Sequence, residues 1–197
     1  RNAKKWSFPF WEPMEMPWKE WHQKWGHLGE VDPLGRKRYL SHLMALDDGI
    51  AKILDKLEAT GQKETTIIVF LSDNGGTINT YSDNRPLRGY KYMFGDGGIR
   101  IPLIVAWPGR LPQSQRRTAL VSAMDICPTL LDLIDCPLPK NLDGASLVPV
   151  LQGPGETKVH DHLCWAQRKK SDTWAVRKGP WKLISSEGWT HLNYVLD

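Results

Sequence analysis

Apolar and polar residues recur along this chain with several distinct periods, and each period predicts a kind of element. Between residues 36 and 59 the apolar positions follow at intervals of three or four, which predicts an amphipathic helix that ends near Gly61. The runs 67–71 and 101–107 are continuously apolar, as is typical of strands in a sheet that helices cover on both faces. A second helix is predicted over 122–135, with Ser122 as its N-cap.

The order of these elements predicts the fold class. Helix, strand, loop, strand and helix in succession argue for an α/β domain in which helices pack on a sheet. After residue 155 the pattern changes to short strands around a Lys-Gly-Pro turn, which predicts a small antiparallel unit. We therefore expect an α/β domain over 1–155 and the start of an antiparallel subdomain over 156–197.

The first 35 residues are rich in Pro and Trp. A short helix after Pro17 would place Trp18, Trp21 and Trp25 on one face. Such a face could bind sugar rings, but packing of a long loop against a core is the favoured interpretation, since large aromatic side chains usually bury. Residues 1–35 are therefore assigned to a loop region of the α/β domain.

Composition and charge argue against several functional classes. The 197 residues carry a formal net charge of +4 with both signs dispersed, unlike the concentrated basic surface that binds nucleic acid. The longest apolar runs are much too short to span a bilayer. Cys127, Cys136 and Cys164 lack the paired spacing of a zinc site, and we expect buried thiols, with a local disulfide between the first two as the alternative.

The apolar run 67–71 ends at the polar sequence Ser-Asp-Asn-Gly-Gly, residues 72–76. Clusters of this kind commonly form turns after strands. Asp73 and Asn74 also offer hard oxygen ligands for a metal ion, and ligands of α/β sheets gather at the carboxyl ends of strands. Taken alone, these residues leave both interpretations open.

A series of segments in a fixed order decides between the two interpretations. Six of them follow one another over about residues 38–197: LDDGIAKILDKLEATG, TIIVFLSDNGG, PLRGYKYMFGDGGIRIPLIVAWPG, DICPTLLDL, LDGASLVPVLQG and AVRKGPWKLI. Together they resemble the C-terminal half of the type I sulfatases, arylsulfatase-like enzymes with a formylglycine nucleophile. The resemblance implies an alkaline-phosphatase-like α/β fold, with a mostly parallel sheet between helices and a small antiparallel C-terminal subdomain.

The resemblance also implies roles for individual residues. In this family the Asp-Asn pair after the strand helps to bind calcium, so Asp73 and Asn74 are the implied Ca²⁺ ligands and the turn carries them. Lys91, in the sequence LRGYK, matches the lysine that contacts the substrate sulfate. We expect Arg88 to be structural and Arg100 to form a supporting ion pair.

The family's nucleophile motif, Cys/Ser-x-Pro-x-Arg, does not occur in the chain, and Cys127 does not fit it. The remaining metal carboxylates and the catalytic histidines belong to motifs that would precede residue 1. We therefore interpret the chain as a fragment that lacks the N-terminal half of the same protein and is inactive alone. The sequence KWGHLG at 24–29 is similar to a family motif only by coincidence, so Lys24 and His27 receive no catalytic role. His160 and His162 could reach a substrate pocket, but exposed loop histidines are the favoured interpretation.

The predicted function is that of a calcium-dependent sulfatase, a sulfuric ester hydrolase whose expected substrates are sulfated glycans. Neither a nucleic-acid partner nor a membrane span is expected. One alternative is a phosphodiesterase or phosphonate hydrolase of the same superfamily, and another is a non-catalytic remnant that binds sulfated glycans. The chain itself does not indicate a compartment, while the family resemblance implies a secreted, periplasmic or lysosomal protein.

Overall fold

The computed structural model describes residues 34–77, 80–153, 157–167, 173–186 and 189–194. The Trp-rich segment lies outside the described residues. The predictions for Trp18, Trp21 and Trp25, and those for Lys24 and His27, therefore stay predictions. No helix in the described part of the chain is long and apolar enough to cross a membrane.

The first helix, α1, spans Gly35–Ala59, as the apolar periodicity predicts. It ends at Thr60 and Gly61, and the glycine has a φ of 68°, a left-handed conformation that suits a residue without a side chain. Five large apolar side chains of the helix are more than a third exposed: Leu40, Leu43, Leu46, Ile53 and Leu54. The apolar stripe therefore exists, but much of it faces solvent in this structure.

Strands β1, Ile68–Leu71, and β2, Leu103–Ala106, are hydrogen-bonded neighbours in a two-stranded sheet. The sequence predicts fully buried strands, and that prediction is wrong for the described residues. All four residues of β1 are half-buried, and Ile104 in β2 is 57% exposed. A sheet of two strands is too narrow to bury both of its faces.

A short helix, α2, spans Asp96–Ile99 and precedes β2. Helix α3, Ile126–Leu133, follows a 3₁₀ turn at Ala123–Asp125. Ser122 caps that turn, as predicted: its hydroxyl accepts from the Met124 amide, and the Asp125 carboxylate accepts from the Ser122 amide.

Helix α4, Val148–Gln152, has its C-terminal end capped by an arginine. Arg117 donates from Nε to the Val150 carbonyl at 2.8 Å and from Nη2 to the Gly153 carbonyl at 3.0 Å. A cation suits this end of a helix, since the last carbonyls lack partners within the helix and carry partial negative charge.

The C-terminal part of the chain forms a four-stranded antiparallel sheet. Its strands follow one another in sequence order: β3 Leu163–Ala166, β4 Trp174–Lys178, β5 Trp181–Ser186 and β6 Trp189–Tyr194. The hairpin β4–β5 turns at Gly179, whose φ is 54°, so the predicted strands around the Lys-Gly-Pro turn are confirmed. Strand β3 was not predicted.

The chain divides into two compact units, Arg1–Thr66 with Phe70–Ile104, and Ile67–Val69 with Val105–Asp197. The second unit contains the buried apolar side chains Leu111, Leu147, Val150, Leu163 and Ala175. A domain boundary near residue 155, between 1–155 and 156–197, stays a prediction.

The three cysteines are free and exposed, so the expectation of buried thiols is wrong, and the local disulfide does not form. On α3 the buried positions are taken by Pro128 and Thr129, which leaves Cys127 on the outer side. Cys164 follows the buried Leu163 on a strand, and successive strand side chains point to opposite faces.

Candidate active site

The polar turn after β1 is held by hydrogen bonds among its own residues. The Ser72 hydroxyl donates to the Asn74 carbonyl at 2.8 Å, and the Asn74 amide donates to Asp73 Oδ1 at 2.9 Å. The side-chain nitrogen of Asn74 donates to the Gly75 carbonyl at 2.9 Å, so its oxygen is the end of the amide that can serve as a ligand. Asp73 is exposed and Asn74 is half-buried.

A second segment, residues 88–98, lies directly against this turn. The Gly75 amide donates to the Gly98 carbonyl at 2.8 Å. A Cβ atom on Gly75 would lie 1.8 Å from the Gly97 carbonyl oxygen, far inside van der Waals contact. The glycine at position 75 therefore has a physical reason: the two backbones approach each other more closely there than any side chain would allow.

Lys91 belongs to this second segment, and its backbone is tied to the turn. The Lys91 amide donates to the Gly76 carbonyl at 3.0 Å. Its Nζ atom lies 5.6 Å from the centroid of the Tyr92 ring, which is within the range of a cation–π contact. The structure thus brings the segments of Asp73, Asn74 and Lys91 together through their backbones.

The two arginines of the loop behave differently from each other. Arg88 is exposed, and its carbonyl accepts from the Gly97 amide at 2.8 Å. Arg100 lies 3.9 Å from Asp96 Oδ2, one turn earlier on the chain, which confirms the expected ion pair.

Asn84 is the residue of this site that sequence reasoning missed. Its Oδ1 atom accepts from the Gly76 amide at 3.0 Å, while Nδ2 donates to the Gly76 carbonyl at 2.9 Å and to the Gly89 carbonyl at 3.2 Å. One half-buried side chain therefore contacts both segments. In the sequence it stands in a polar loop, where an asparagine is indistinguishable from an ordinary turn residue.

His160 departs from its predicted place in an exposed loop. Its side chain is 13% exposed, and Nε2 lies 2.8 and 2.9 Å from the two carboxylate oxygens of Asp125. Asp125 is fully buried and also accepts from the backbone amides of Ser122, at 2.7 Å, and Ala145, at 2.9 Å. His160 is thus a largely buried partner of the Asp125 carboxylate, whereas His162 is exposed, as predicted.

Comparison with known proteins assigns the family. The family model described as "Sulfatase" matches residues 18–136, more than half of the chain. A second model, described as "N-sulphoglucosamine sulphohydrolase, C-terminal", matches residues 89–190. The chain belongs to the sulfatase family.

Similar proteins occur in bacteria and animals. The protein described as "Uncharacterized sulfatase YdeN", from Escherichia coli (strain K12), is 39% identical over 130 residues, which are 64% of this chain and 23% of that protein. Arylsulfatase D from Homo sapiens is 33% identical over 159 residues, 70% of this chain and 27% of that protein. The chain thus spans about a quarter of the length of these two curated relatives.

Solved structures show the fold. The crystal structure of Ps i-CgsB in complex with k-i-k-neocarrahexaose has a TM-score of 0.71 and 28% sequence identity, and covers 87% of this chain and 39% of that chain. The predicted α/β fold of the alkaline-phosphatase-like sulfatases is therefore confirmed. A phosphonate monoester hydrolase, SpPMH from Silicibacter pomeroyi, has a TM-score of 0.59 at 20% identity, a likeness that concerns the fold alone.

Membership of the sulfatase family supports a divalent metal cofactor in general. Within the described residues, no group of three or more His, Cys, Asp or Glu side chains could hold a metal ion. Asp73 and Asn74 nevertheless supply the donors that a hard cation prefers, a carboxylate and an amide oxygen on adjacent residues of one turn. Their chemistry fits such an ion as part of a ligand set.

Proposed function

We propose that the full-length protein hydrolyses sulfate esters, and that this chain contributes part of its metal site and a sulfate-binding lysine. The observation that carries the proposal is the close backbone contact between the Asp73–Asn74 turn and the Lys91 segment. Two backbone hydrogen bonds support it, that from the Lys91 amide to the Gly76 carbonyl and that from the Gly75 amide to the Gly98 carbonyl. They join the segment that carries Lys91 to the turn that carries Asp73 and Asn74. An anion bound to the metal would then lie near a positive charge.

The proposed ion is Ca²⁺, with Asp73 and Asn74 among its ligands. Oxygen-only donors, one of them a carboxylate, match the preference of this hard cation. When bound, it would supply Lewis-acid stabilisation of the negatively charged sulfate group. The chain's own contribution is to hold the two oxygens on a turn whose geometry is fixed by the bonds of Ser72 and Asn74 to backbone and neighbouring groups.

The proposed role of Lys91 is to bind the sulfate and to offset the charge that develops on the leaving oxygen. An ammonium group on a flexible stem can approach a tetrahedral anion from many directions. Lys91 is half-buried, so its charge is less screened than that of a fully exposed lysine. A positive charge close to the leaving oxygen lowers the barrier because it offsets the negative charge that develops there in the transition state.

We propose that the nucleophile, the remaining metal ligands and the acid–base groups lie in parts of the full-length protein other than these 197 residues. In support, the Cys/Ser-x-Pro-x-Arg motif does not occur in this sequence, and the curated relatives are about four times longer than the part they share with it. In the sulfatases that the sequence resembles, the nucleophile is formylglycine.

The proposed substrates are sulfated carbohydrates. Support comes from the match of residues 89–190 to the C-terminal model of N-sulphoglucosamine sulphohydrolase, and from the similar structure that contains k-i-k-neocarrahexaose. Sulfated glycans carry many anionic groups, and the formal net charge of +4 is compatible with them.

Sulfate release by the full-length protein tests the proposal. We expect release from an aryl sulfate and from a sulfated oligosaccharide, loss of activity after chelation, and recovery when calcium is restored. An aryl phosphonate and a phosphodiester serve as controls for the rival chemistries. Faster turnover of either control than of every sulfate ester would contradict the proposed function.

A further inference from the structure

We propose that Asn84 is a positioning residue, which holds Lys91 at a fixed distance from the Asp73–Asn74 turn. This inference rests on the proposed function, since it assigns Asn84 a role in the same site. The hydrogen bonds of the Asn84 side chain join it to Gly76 and Gly89, and Asn84 acts through these two residues.

The geometry of the Asn84 side chain is that of a two-sided bridge. Its Oδ1 atom accepts from the Gly76 backbone amide at 3.0 Å, and its Nδ2 atom donates to the Gly76 carbonyl at 2.9 Å. The side-chain amide therefore pairs with both backbone groups of Gly76, as a residue of a neighbouring β-strand would. The same nitrogen also donates to the Gly89 carbonyl at 3.2 Å. Gly76 lies two residues after Asn74, and Gly89 lies two residues before Lys91, so the bridge connects the two functional segments close to their functional side chains.

Without the Asn84 side chain, backbone hydrogen bonds alone would constrain the distance between Lys91 and the Asp73–Asn74 turn less tightly. The Lys91 amide reaches the turn through one bond, to the Gly76 carbonyl. That same carbonyl accepts from Asn84 Nδ2, and the Gly76 amide has Asn84 Oδ1 as its partner. If the Asn84 side chain is removed, the half-buried Gly76 loses two partners at once, and the remaining bond to Lys91 must hold a less constrained peptide.

If Asn84 holds Lys91 in position, its removal should reduce kcat/KM strongly even when Lys91 moves only a short distance. Displacement of a substrate-binding group by about 1 Å can reduce a rate on the order of 10²-fold. We therefore expect Asn84→Ala in the full-length protein to reduce kcat/KM by about 10- to 100-fold. Asn84→Asp is a second variant of nearly the same size. It retains an acceptor for the Gly76 amide, but it turns an oxygen toward the two carbonyls, so it should be at least as damaging.

A double-mutant cycle separates positioning from general damage to the fold. If Asn84 acts through Lys91, Asn84→Ala should cost less than about 3-fold in a protein that already carries Lys91→Ala, because coupled residues are not additive. Ser82→Ala is the matched control. Its hydroxyl donates to the Thr77 carbonyl at 2.7 Å, a bond of the same loop that does not reach the Lys91 segment. The control should stay within about 3-fold of wild type, and equal losses in both Lys91 backgrounds for Asn84→Ala would overturn the positioning role.

Amide hydrogen exchange tests the bridge without any enzymatic assay. In either Asn84 variant, the amides of Gly76 and Lys91 should exchange faster, while the Gly75 amide, which is bonded to Gly98, should change much less. Unchanged exchange at Gly76 and Lys91 would overturn the bridge. If the wild-type protein releases no sulfate from any ester, the proposed function fails, and the exchange rates still decide whether Asn84 connects the two segments.

Discussion

Replacement of Gly75 by alanine should damage both stability and activity, because this position sets the contact between the two segments of the site. The added Cβ would lie 1.8 Å from the Gly97 carbonyl oxygen, whereas ordinary contact begins at 3.4 Å. One segment would have to withdraw by roughly 1.6 Å, and overpacking of this kind costs about 1–3 kcal/mol. The bond from the Gly75 amide to Gly98, now 2.8 Å, would also be lost or stretched, at a further cost of about 1 kcal/mol.

The expected total is therefore about 2–4 kcal/mol of unfolding free energy, together with a fall in kcat/KM on the order of 10²-fold as Lys91 moves away from the turn. Urea unfolding and sulfate release would be measured on the full-length protein. Gly49→Ala is the matched control, since its Cβ on helix α1 would meet nothing within 4 Å, and it should stabilise by about 0.5–1 kcal/mol. Wild-type stability and turnover in Gly75→Ala would refute the proposed contact.

Three further predictions concern the two proposed functional residues Asp73 and Lys91 and the surface carboxylate Asp161. Asp73→Ala removes the proposed charged ligand and should lower calcium content and nearly abolish turnover, whereas a fully loaded and active variant would contradict the proposed metal site. Lys91→Ala should cost about 2–4 kcal/mol of transition-state stabilisation, measured as kcat/KM on an aryl sulfate, and an unchanged value would show a surface lysine. The hydrogen bond from Lys158, and to a smaller extent that from Lys178, lowers the pKa of Asp161 from 3.8 to about 2. Its contribution to stability is thus complete above pH 3.8 and is lost as the pH falls through about 2, and an NMR titration midpoint near 3.8 would disprove this.

The elements that the sequence predicted are those that local interactions determine. The periodicity of α1, the two strands that flank the loop and the cap at Ser122 depend on residues a few positions apart. The hairpin β4–β5 is equally local, since its turn and its first pair, Lys178 with Trp181, are neighbours in the sequence. Strand β3 was missed because its four residues become a strand through pairing with β4, beyond a longer connection.

Burial was harder to predict than element type, since it depends on what packs from elsewhere in the chain. The sequence around His160 is typical of an exposed loop, yet its ring contacts Asp125, which lies 35 positions earlier. For Cys164 the error is the opposite one. Burial was expected because cysteine usually packs as a small apolar residue, but the thiol is exposed on β3 next to the buried Leu163. The burial of His160 is thus decided by a long-range contact, and the exposure of Cys164 by which face of the strand it lies on.

For the candidate site, the sequence indicates which residues could be functional but not how far apart they lie. Asp73, Asn74 and Lys91 could be selected from the sequence because their chemistry stands in a recognisable order, but residue type does not say how far apart they lie. That separation depends on close backbone contacts at Gly75 and on the bonds that Asn84 makes to its two glycine partners. If the proposed roles of these three residues are right, a variant that keeps Asp73, Asn74 and Lys91 but alters Gly75 or Asn84 should lose activity, because the distance between the turn and the ammonium group would change.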